Sequence, residues 1–207
     1  MNAGIPKQFM LLHGEPVLMH TIRAFYTYDK NLNIILALPQ PRIGEWKDLC
    51  RMHAFTIPHQ ITPGGNTRFG SVKNAMEAIG PEGLIAVHDG ARPLVSQDLI
   101  KRTFELAEKN GNAIPVLQAS ESLREVDPDT SRPVDRNRFR IIQTPQVFRA
   151  ALIKAAYAAA PGDDYADDAT VLEISGEKIH LVEGDRKNIK ITVIEDLELA
   201  NALFTGN

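Results

Sequence analysis

The sequence lacks the features of a cross-linked, membrane-bound or nucleic-acid-binding protein. Cys50 is the one cysteine among 207 residues, which excludes a disulfide framework within the chain and a cysteine-rich zinc site. No apolar run approaches the roughly 18 residues that a membrane helix needs, and the beginning of the chain has no signal-peptide hydrophobic region. The net charge of −3 provides no overall basic field for nucleic acid or an anionic membrane. We therefore expect a cytoplasmic protein that binds neither nucleic acid nor a membrane.

The rest of the composition indicates one globular domain over residues 1–207. Apolar residues make up 43% and charged residues 24% of the chain, which is ordinary for a folded domain. Short apolar runs at 34–38, 84–87 and 113–117 are typical of strands that are covered on both faces. Helical spacing of apolar residues lies between these runs. The alternation predicts right-handed βαβ units and an α/β fold with a doubly wound, mostly parallel sheet.

The alternation breaks in the segment 120–139. Polar and charged residues with Pro128 and Pro133 surround two short extended pieces, at 123–126 and 133–136. Such a segment does not fit the alternation of strands and helices, and a long polar insertion is most often a surface loop. The β-type residues favour an ordered hairpin instead. We predict a protruding β-arm that reaches a partner subunit.

Residues suited to chemistry directly follow the predicted strand at 84–87. In open α/β sheets, ligands bind beyond the carboxyl ends of the strands. Asp89 can hold a metal ion or a substrate hydroxyl there, and Arg92 can meet a phosphate. The alternative is an ordinary turn between strand and helix, with an aspartate that caps the helix.

A glycine-rich run precedes the second predicted helix. Gly64 and Gly65, together with the helix N-terminus, present free backbone N–H groups that suit an anion or an acceptor-rich ligand. The side chains that can add hydrogen bonds are those of Asn66, Arg68 and Ser71. The run matches neither the dinucleotide-binding nor the P-loop motif, so a plain loop with a helix cap remains the alternative.

Cations recur at the boundaries of the predicted elements. Lys7, Arg136 and Lys190 each stand at such a boundary. Solvated surface charge is the ordinary explanation for a lysine, but a site that binds several phosphates needs cations that are fixed in space. Thr144, in a Gln-Thr-Pro-Gln run without periodicity, adds a hydroxyl. From the residues alone, the chain is an α/β protein that binds a phosphorylated, nucleotide-type ligand.

Six motifs, in order along nearly the whole chain, resemble those of the 2-C-methyl-D-erythritol 4-phosphate cytidylyltransferase family. They are Pro6-Lys7-Gln8-Phe9, the run from Gly64 to Val72, the run from Val87 to Pro93, Val134-Asp135-Arg136, Gln143-Thr144-Pro145-Gln146, and the run from Glu183 to Lys190. The resemblance implies a Rossmann-like nucleotidyltransferase of the non-mevalonate isoprenoid pathway. In that family the 4-phosphate of methylerythritol attacks the α-phosphorus of CTP, with Mg²⁺ on the triphosphate. The products are 4-diphosphocytidyl-2-C-methyl-D-erythritol and pyrophosphate.

The resemblance also implies a role for each candidate residue. The catalytic residues would be Lys7, which stabilises charge at the α-phosphate, and Arg136 and Lys190, which fix the attacking phosphate. The implied CTP contacts are Gly64, Gly65, Asn66, Arg68 and Ser71. The implied contacts to the sugar phosphate are Asp89, Arg92, Ser122, Arg136, Thr144 and Lys190. Asp89 would also lie at the metal ion.

Two further expectations follow from the resemblance. The family is a homodimer whose β-arm crosses to the partner, and the substrate-binding Asp-Thr pair of that arm corresponds here to Glu121-Ser122. Family members open with a buried strand and a glycine-rich loop that wraps the triphosphate. Met1 matches the end of that loop, so we expect about 20 further residues, an apolar strand of about 5–6 residues among them, to precede it in the natural protein.

Two alternatives remain beside the main interpretation. Ribitol-5-phosphate cytidylyltransferase shares the fold and the Q-T-P-Q motif, but its arm usually has V-R-D where this chain has V-D-R. A catalytically inactive nucleotide-binding scaffold would explain the missing glycine-rich loop. Such a scaffold would not require Lys7, Arg136 and Lys190 together, which argues against it.

Overall fold

A computed structural model describes residues 6–204 of the chain. In the sequence, Met1 matches the end of the expected glycine-rich loop. That loop and the N-terminal strand before it lie outside the described residues. No helix in the described part is both long and apolar enough to cross a membrane.

Helices and short strands alternate through most of this part of the chain. The α-helices are α1 (Val17–Tyr28), α2 (Ile43–Met52), α3 (Arg68–Glu77), α4 (Gln97–Asn110), α5 (Ala150–Ala159), α6 (Asp168–Ile174) and α7 (Ile194–Leu203). The strands are β1 (Leu11–Leu12), β2 (Glu15–Pro16), β3 (Ile35–Leu38), β4 (Gln60–Pro63), β5 (Leu84–Val87), β6 (Asn112–Gln118), β7 (Leu123–Val126), β8 (Ser131–Val134), β9 (Arg140–Ile142), β10 (Gln146–Arg149) and β11 (Leu181–Glu183). Short 3-10 helices cover Lys7–Phe9, Gln40–Arg42 and Arg136–Arg138.

The three strands predicted from apolar runs are confirmed as β3, β5 and β6, and the helices between them form as the spacing indicates. In α4, for example, the side chain of Ser96 accepts a hydrogen bond from the Leu99 N–H, and Gly111 ends the helix at a φ of +93°. Leu99, Ile100 and Ala107 lie on the buried face of this helix. The amphipathic face and the two caps together explain why the helix begins and ends where it does.

The α/β class is confirmed, but the central sheet is mixed rather than mostly parallel. Its strand order is β11-β6-β10-β5, with β9 also paired to β6. β11 is parallel to β6, whereas β10 runs antiparallel to both β5 and β6. The cause is the hairpin segment after β6, which returns the chain to the same end of the sheet without a crossover helix. A return of this kind permits only antiparallel pairing, and the sequence patterns gave no sign of β10.

The predicted hairpin is present in the segment 120–139. β7 and β8 pair antiparallel from Leu123↔Val134 to Val126↔Ser131. Arg136 does not continue the strand but begins a 3-10 helix whose N-cap side chain, Asp135, accepts from the Asn137 N–H. The role of the hairpin as a dimer arm stays a prediction.

A cleft lies between β3 and β5, and residues of two of the hydrophobic clusters line it. β3 pairs with β4 along one edge, and β5 pairs with β10 along one edge. Both strands line a common cleft of about 570 Å³. One of these clusters contains Trp46, and the other contains Phe148. At the carboxyl end of β5, the lining of the cleft includes His88 and Asp89, whose surroundings are described next.

Candidate active site

The glycine-rich run forms a tight loop that closes on the N-terminus of α3. The Gly64 N–H donates to the Leu38 carbonyl at 2.7 Å, and the Gly65 N–H donates to Ser71 Oγ at 3.1 Å. A Cβ at position 65 would lie 2.7 Å from the carbonyl carbon of Gly70, so only glycine fits there. Thr67 caps the helix by accepting from the Gly70 N–H. A loop followed by a helix cap is therefore present, as the alternative interpretation predicted. Backbone N–H groups in the first turn of α3 have no acceptor inside the helix.

Arg68, the first residue of α3, forms an ion pair with a buried carboxylate. Its Nη2 lies 2.5 Å from Oδ2 of Asp168, whose side chain has no exposed surface. Burial disfavours the charge on Arg68, but the hydrogen bond and charge of Asp168 outweigh it and raise the pKa of the guanidinium. Sequence reasoning missed Asp168. Asp168 is the first residue of α6, and its neighbour Asp167 caps that helix.

Asp89 is bracketed by two cations at the carboxyl end of β5. Its Oδ2 lies 3.1 Å from Nζ of Lys190 and 3.1 Å from Nε of Arg92. Burial alone would raise the pKa of Asp89, but Lys190 and Arg92 oppose burial and lower it. Asp89 is therefore a carboxylate at neutral pH, and three residues that were predicted to bind the sugar phosphate form one cluster.

Arg92 holds Asp89 from the protein interior through hydrogen bonds. Its side chain is buried, and Nη1 donates to the Asn188 carbonyl at 2.8 Å while Nε is turned to Asp89. Arg92 is not among the described residues that line the cleft. A direct phosphate contact by Arg92 stays a prediction, and the geometry gives its guanidinium two internal partners.

Thr144 and His88 hold the backbone of Asp89. The Thr144 hydroxyl accepts from the Asp89 N–H at 3.1 Å and lies 3.1 Å from Nδ1 of His88. His88 Nε2 lies 3.2 Å from the Arg92 carbonyl. Burial lowers the pKa of His88 to about 4, so the ring is neutral, with Nε2–H donating to the carbonyl and Nδ1 accepting from Thr144. Thr144 thus serves the framework of the site, and sequence reasoning gave His88 no role.

A further set of hydrogen bonds joins the Gln-Thr-Pro-Gln motif to the segment that carries Lys190. Gln143 Nε2 donates to the Asp185 carbonyl, and its Oε1 accepts from the Asp185 N–H. Asn188 Nδ2 donates to the Thr144 carbonyl at 2.8 Å. A Cβ on Gly184 would lie 2.5 Å from Gln143 Oε1 and 3.1 Å from the Val116 carbonyl oxygen, so a larger residue here would displace the Gln143 side chain from its present contacts. Two motifs that are about 40 residues apart in the sequence therefore hold Lys190 in place.

The cleft collects candidate residues from four of the motifs. Its lining includes Lys7, Arg68, Ser71, Asp89 and Lys190. Among the described lining residues there are three cations and one carboxylate, since His88 is neutral. This excess of positive charge suits a ligand with several negative charges, such as a nucleoside triphosphate.

The arm residues are not part of this cluster. Ser122 and Arg136 are exposed and do not line the cleft in the described structure. The Arg136 guanidinium donates to the Ser120 carbonyl at the base of the hairpin. A single copy of the chain therefore does not bring Arg136 and Lys190 to the same site.

Comparisons with known proteins agree with this geometry. The family model for 2-C-methyl-D-erythritol 4-phosphate cytidylyltransferase matches residues 1–206. The enzyme of that name from Bacteroides thetaiotaomicron is 45% identical over 204 residues, which cover 99% of this chain and 93% of the relative. The corresponding enzyme from Phocaeicola vulgatus is also 45% identical, with the same coverage.

Solved structures lead to the same family. The crystal structure of 2-C-methyl-D-erythritol 4-phosphate cytidylyltransferase from Thermus thermophilus superposes with a TM-score of 0.84 at 36% identity, covering 97% of this chain and 94% of that one. The fold, the order of the motifs and these likenesses are consistent with one another. The chain belongs to the 2-C-methyl-D-erythritol 4-phosphate cytidylyltransferase family.

Proposed function

We propose that this protein transfers the cytidylyl group of CTP to 2-C-methyl-D-erythritol 4-phosphate in isoprenoid biosynthesis, acting in the cytoplasm. A phosphate oxygen of the sugar forms a bond to the α-phosphorus of CTP as the bond to the β-phosphate oxygen breaks, and pyrophosphate leaves. The observation that carries the proposal is the cleft that Lys7, Arg68 and Lys190 line together with Asp89, the ionised partner of Lys190. Charge neutralisation and in-line positioning are the main requirements of such a phosphoryl transfer.

The nucleotide end of the site is the loop before α3. The N–H groups of Gly64, Gly65, Gly70 and Ser71 already have acceptors within the loop and the first turn of α3. The donors for the base and ribose would therefore be the remaining N–H groups at the start of this helix, whose N-terminus favours negative charge. Asn66, which is exposed at the loop tip, would add a side-chain contact. Lys7 also lines the cleft and would neutralise the charge that develops on the α-phosphate.

The sugar end of the site is the cluster around Asp89. The carboxylate accepts hydrogen bonds from the substrate hydroxyls, and Lys190 holds the attacking phosphate. Arg92, His88 and Thr144 keep Asp89 at this position through the contacts described above.

The proposed Mg²⁺ would enter with the triphosphate rather than reside in the protein. The described residues contain no cluster of three or more metal-ligating side chains. Asp89 fits as one ligand, because Mg²⁺ in nucleotide sites is usually held by one or two carboxylates and the substrate phosphates. When bound, the ion would neutralise charge on the phosphates. Lys7 and Lys190 share that task.

We also propose a homodimer in which the arm completes the partner's site. In support, Arg136 is exposed and lies away from the cleft of its own chain. A basic residue of this kind, brought to the partner's Asp89 cluster, would bind the attacking phosphate together with Lys190. Ser122 would supply a hydroxyl to the same substrate.

The proposed reaction is tested by product identity. The protein is incubated with CTP, Mg²⁺ and methylerythritol 4-phosphate, and the product is identified by mass spectrometry and ³¹P NMR. We expect 4-diphosphocytidyl-2-C-methyl-D-erythritol, formed much more slowly by the Lys190→Ala control at the same subsaturating concentration of methylerythritol 4-phosphate. Binding of CTP without any product would support the inactive scaffold instead.

A further inference from the structure

Asp168 is a fully buried carboxylate on α6 whose ionic partner, Arg68, stands 100 residues away at the nucleotide loop. An ion pair with a buried member is weak evidence for stability, because the desolvation of the enclosed carboxylate and the partial desolvation of Arg68 offset their attraction. Replacing such a pair by apolar residues is often neutral or stabilising. The presence of this pair therefore calls for a reason other than stability.

The backbone of Asp168 is anchored to the central sheet. Oε1 of Gln146 accepts from the N–H of Asp168 at 3.1 Å and from the N–H of Ala169 at 2.9 Å. Gln146 is itself fully buried on β10, where it pairs with Val87 of β5. The start of α6 is thus fixed to the same strand end that carries Asp89.

Both carboxylate oxygens of Asp168 are engaged. Oδ1 accepts from the Tyr157 hydroxyl at 2.5 Å, and Oδ2 accepts from Arg68. The Tyr157 ring also stacks on Phe69, with ring centroids 4.4 Å apart. The carboxylate therefore cannot rotate away, and it dictates the direction of the guanidinium that it holds.

Arg68 lies between this anchor and the cleft. Its side chain is 33% exposed and lines the cleft, and in the described structure only Nη2 donates to a protein acceptor. The other N–H groups of the fork are therefore available to an acceptor in the cleft.

We propose that Asp168 is a positioning residue for the nucleotide: it fixes the guanidinium of Arg68 so that the free donors of the fork point at the bound nucleotide. This inference rests on the proposed function of the loop before α3. It extends the nucleotide site through Arg68 to α6, which contributes no residue to the cleft lining in the described part of the chain.

The test is a double-mutant cycle with Asp168→Asn, Arg68→Gln and the double variant, measured as Kd for CTP by calorimetry and as KM for both substrates. Asp168→Asn keeps the shape of the side chain, and the partly exposed Arg68 can then be solvated, so the fold should survive. We expect Kd and KM for CTP to rise about tenfold, with KM for methylerythritol phosphate within twofold. In the Arg68→Gln background, Asp168→Asn should add less than twofold, because interacting residues do not act additively.

Tyr157→Phe is the matched control, since it removes the other hydrogen bond to the same carboxylate but leaves the ion pair. We expect it to lower Tm and to raise the Kd for CTP clearly less than Asp168→Asn does, because the ion pair with Arg68 remains. Independent, additive effects of Asp168 and Arg68, or equal losses for both substrates, would overturn the proposal. An Arg68→Gln protein with normal CTP binding and normal transfer would overturn it too, and would leave the transferase function standing. Absence of transfer in the unaltered protein, with the CTP effects as expected, would count against the proposed function alone.

Discussion

The Nζ of Lys190 and Oδ2 of Asp89 lie 3.1 Å apart, although 101 residues separate them in the sequence. Lys190 is 44% exposed at its side chain, whereas Asp89 is 15% exposed. Lys190 is therefore accessible from the cleft, whereas the carboxylate of Asp89 beside it is mostly enclosed. This arrangement keeps Asp89 ionised and leaves part of the ammonium group available to a phosphate.

Lys190→Ala should chiefly damage the use of the sugar phosphate. It removes a cation from the attacking group, so KM for methylerythritol phosphate should rise at least tenfold while the Kd for CTP changes little. It should also move the pKa of Asp89 upward, because Lys190 is the leading influence that lowers it. Lys187→Ala, an exposed lysine of the same segment, is the control and should behave as wild type. An unchanged KM in the Lys190 variant would remove this residue from the site.

Lys7→Ala should lower kcat with less effect on CTP binding. If Lys7 stabilises charge that develops only in the transition state, its loss costs about 2.7–4 kcal/mol, or about 10²–10³ in kcat. Steady-state kinetics with both substrates, beside calorimetric binding of CTP, separates the two effects. A kcat within a factor of two of wild type would contradict the role.

Arg136→Ala should raise the KM for the sugar phosphate without changing the Kd for CTP. The control is Arg138→Ala, which removes an exposed arginine of the same short helix and should leave both constants unchanged.

Deletion of the hairpin should give monomers without transfer activity, as seen by light scattering and product formation. Mixing the Arg136→Ala protein with the Lys190→Ala protein should restore part of the activity, because one site of each mixed dimer is then intact. A hairpin-deleted protein that stays dimeric and active would show that the segment is only a loop.

His88 should make the protein acid-sensitive. Because its pKa is about 4 when folded, against an ordinary 6.5, the unfolded chain binds this proton first as the pH falls. The contribution of His88 to the free energy of unfolding is fully present above pH 6.5 and is lost toward pH 4, up to about 3 kcal/mol. Denaturant unfolding between pH 7 and 4 should show a flatter pH dependence for His88→Gln. Parallel curves for variant and wild type would contradict the buried, neutral state of His88.

Much of this fold was predictable because local signals agreed with the tertiary structure. Continuous apolar runs predicted β3, β5 and β6, and the helical spacing of apolar residues predicted the helices between them. β10 was missed because Gln146 begins it and is buried there by hydrogen bonds to α6, which no pattern of hydrophobicity reports.

The candidate site was predictable to a similar degree. The motifs contained Asp89, Lys190 and Arg68, and the cleft brings them together. The supporting contacts of Asp168 and His88 could not be foreseen, because they depend on long-range packing between elements 56 to 100 residues apart. Arg136 could be found by its motif, but one copy of the chain does not show which site it serves.

The central claim is tested most directly by comparing two acceptors with one enzyme preparation. Pyrophosphate release is measured with CTP and Mg²⁺, with methylerythritol 4-phosphate and ribitol 5-phosphate side by side. We predict a kcat/KM that is at least about 100-fold higher for methylerythritol 4-phosphate, a difference of about 2.7 kcal/mol in transition-state binding. Equal values, or a preference for ribitol 5-phosphate, would contradict the account.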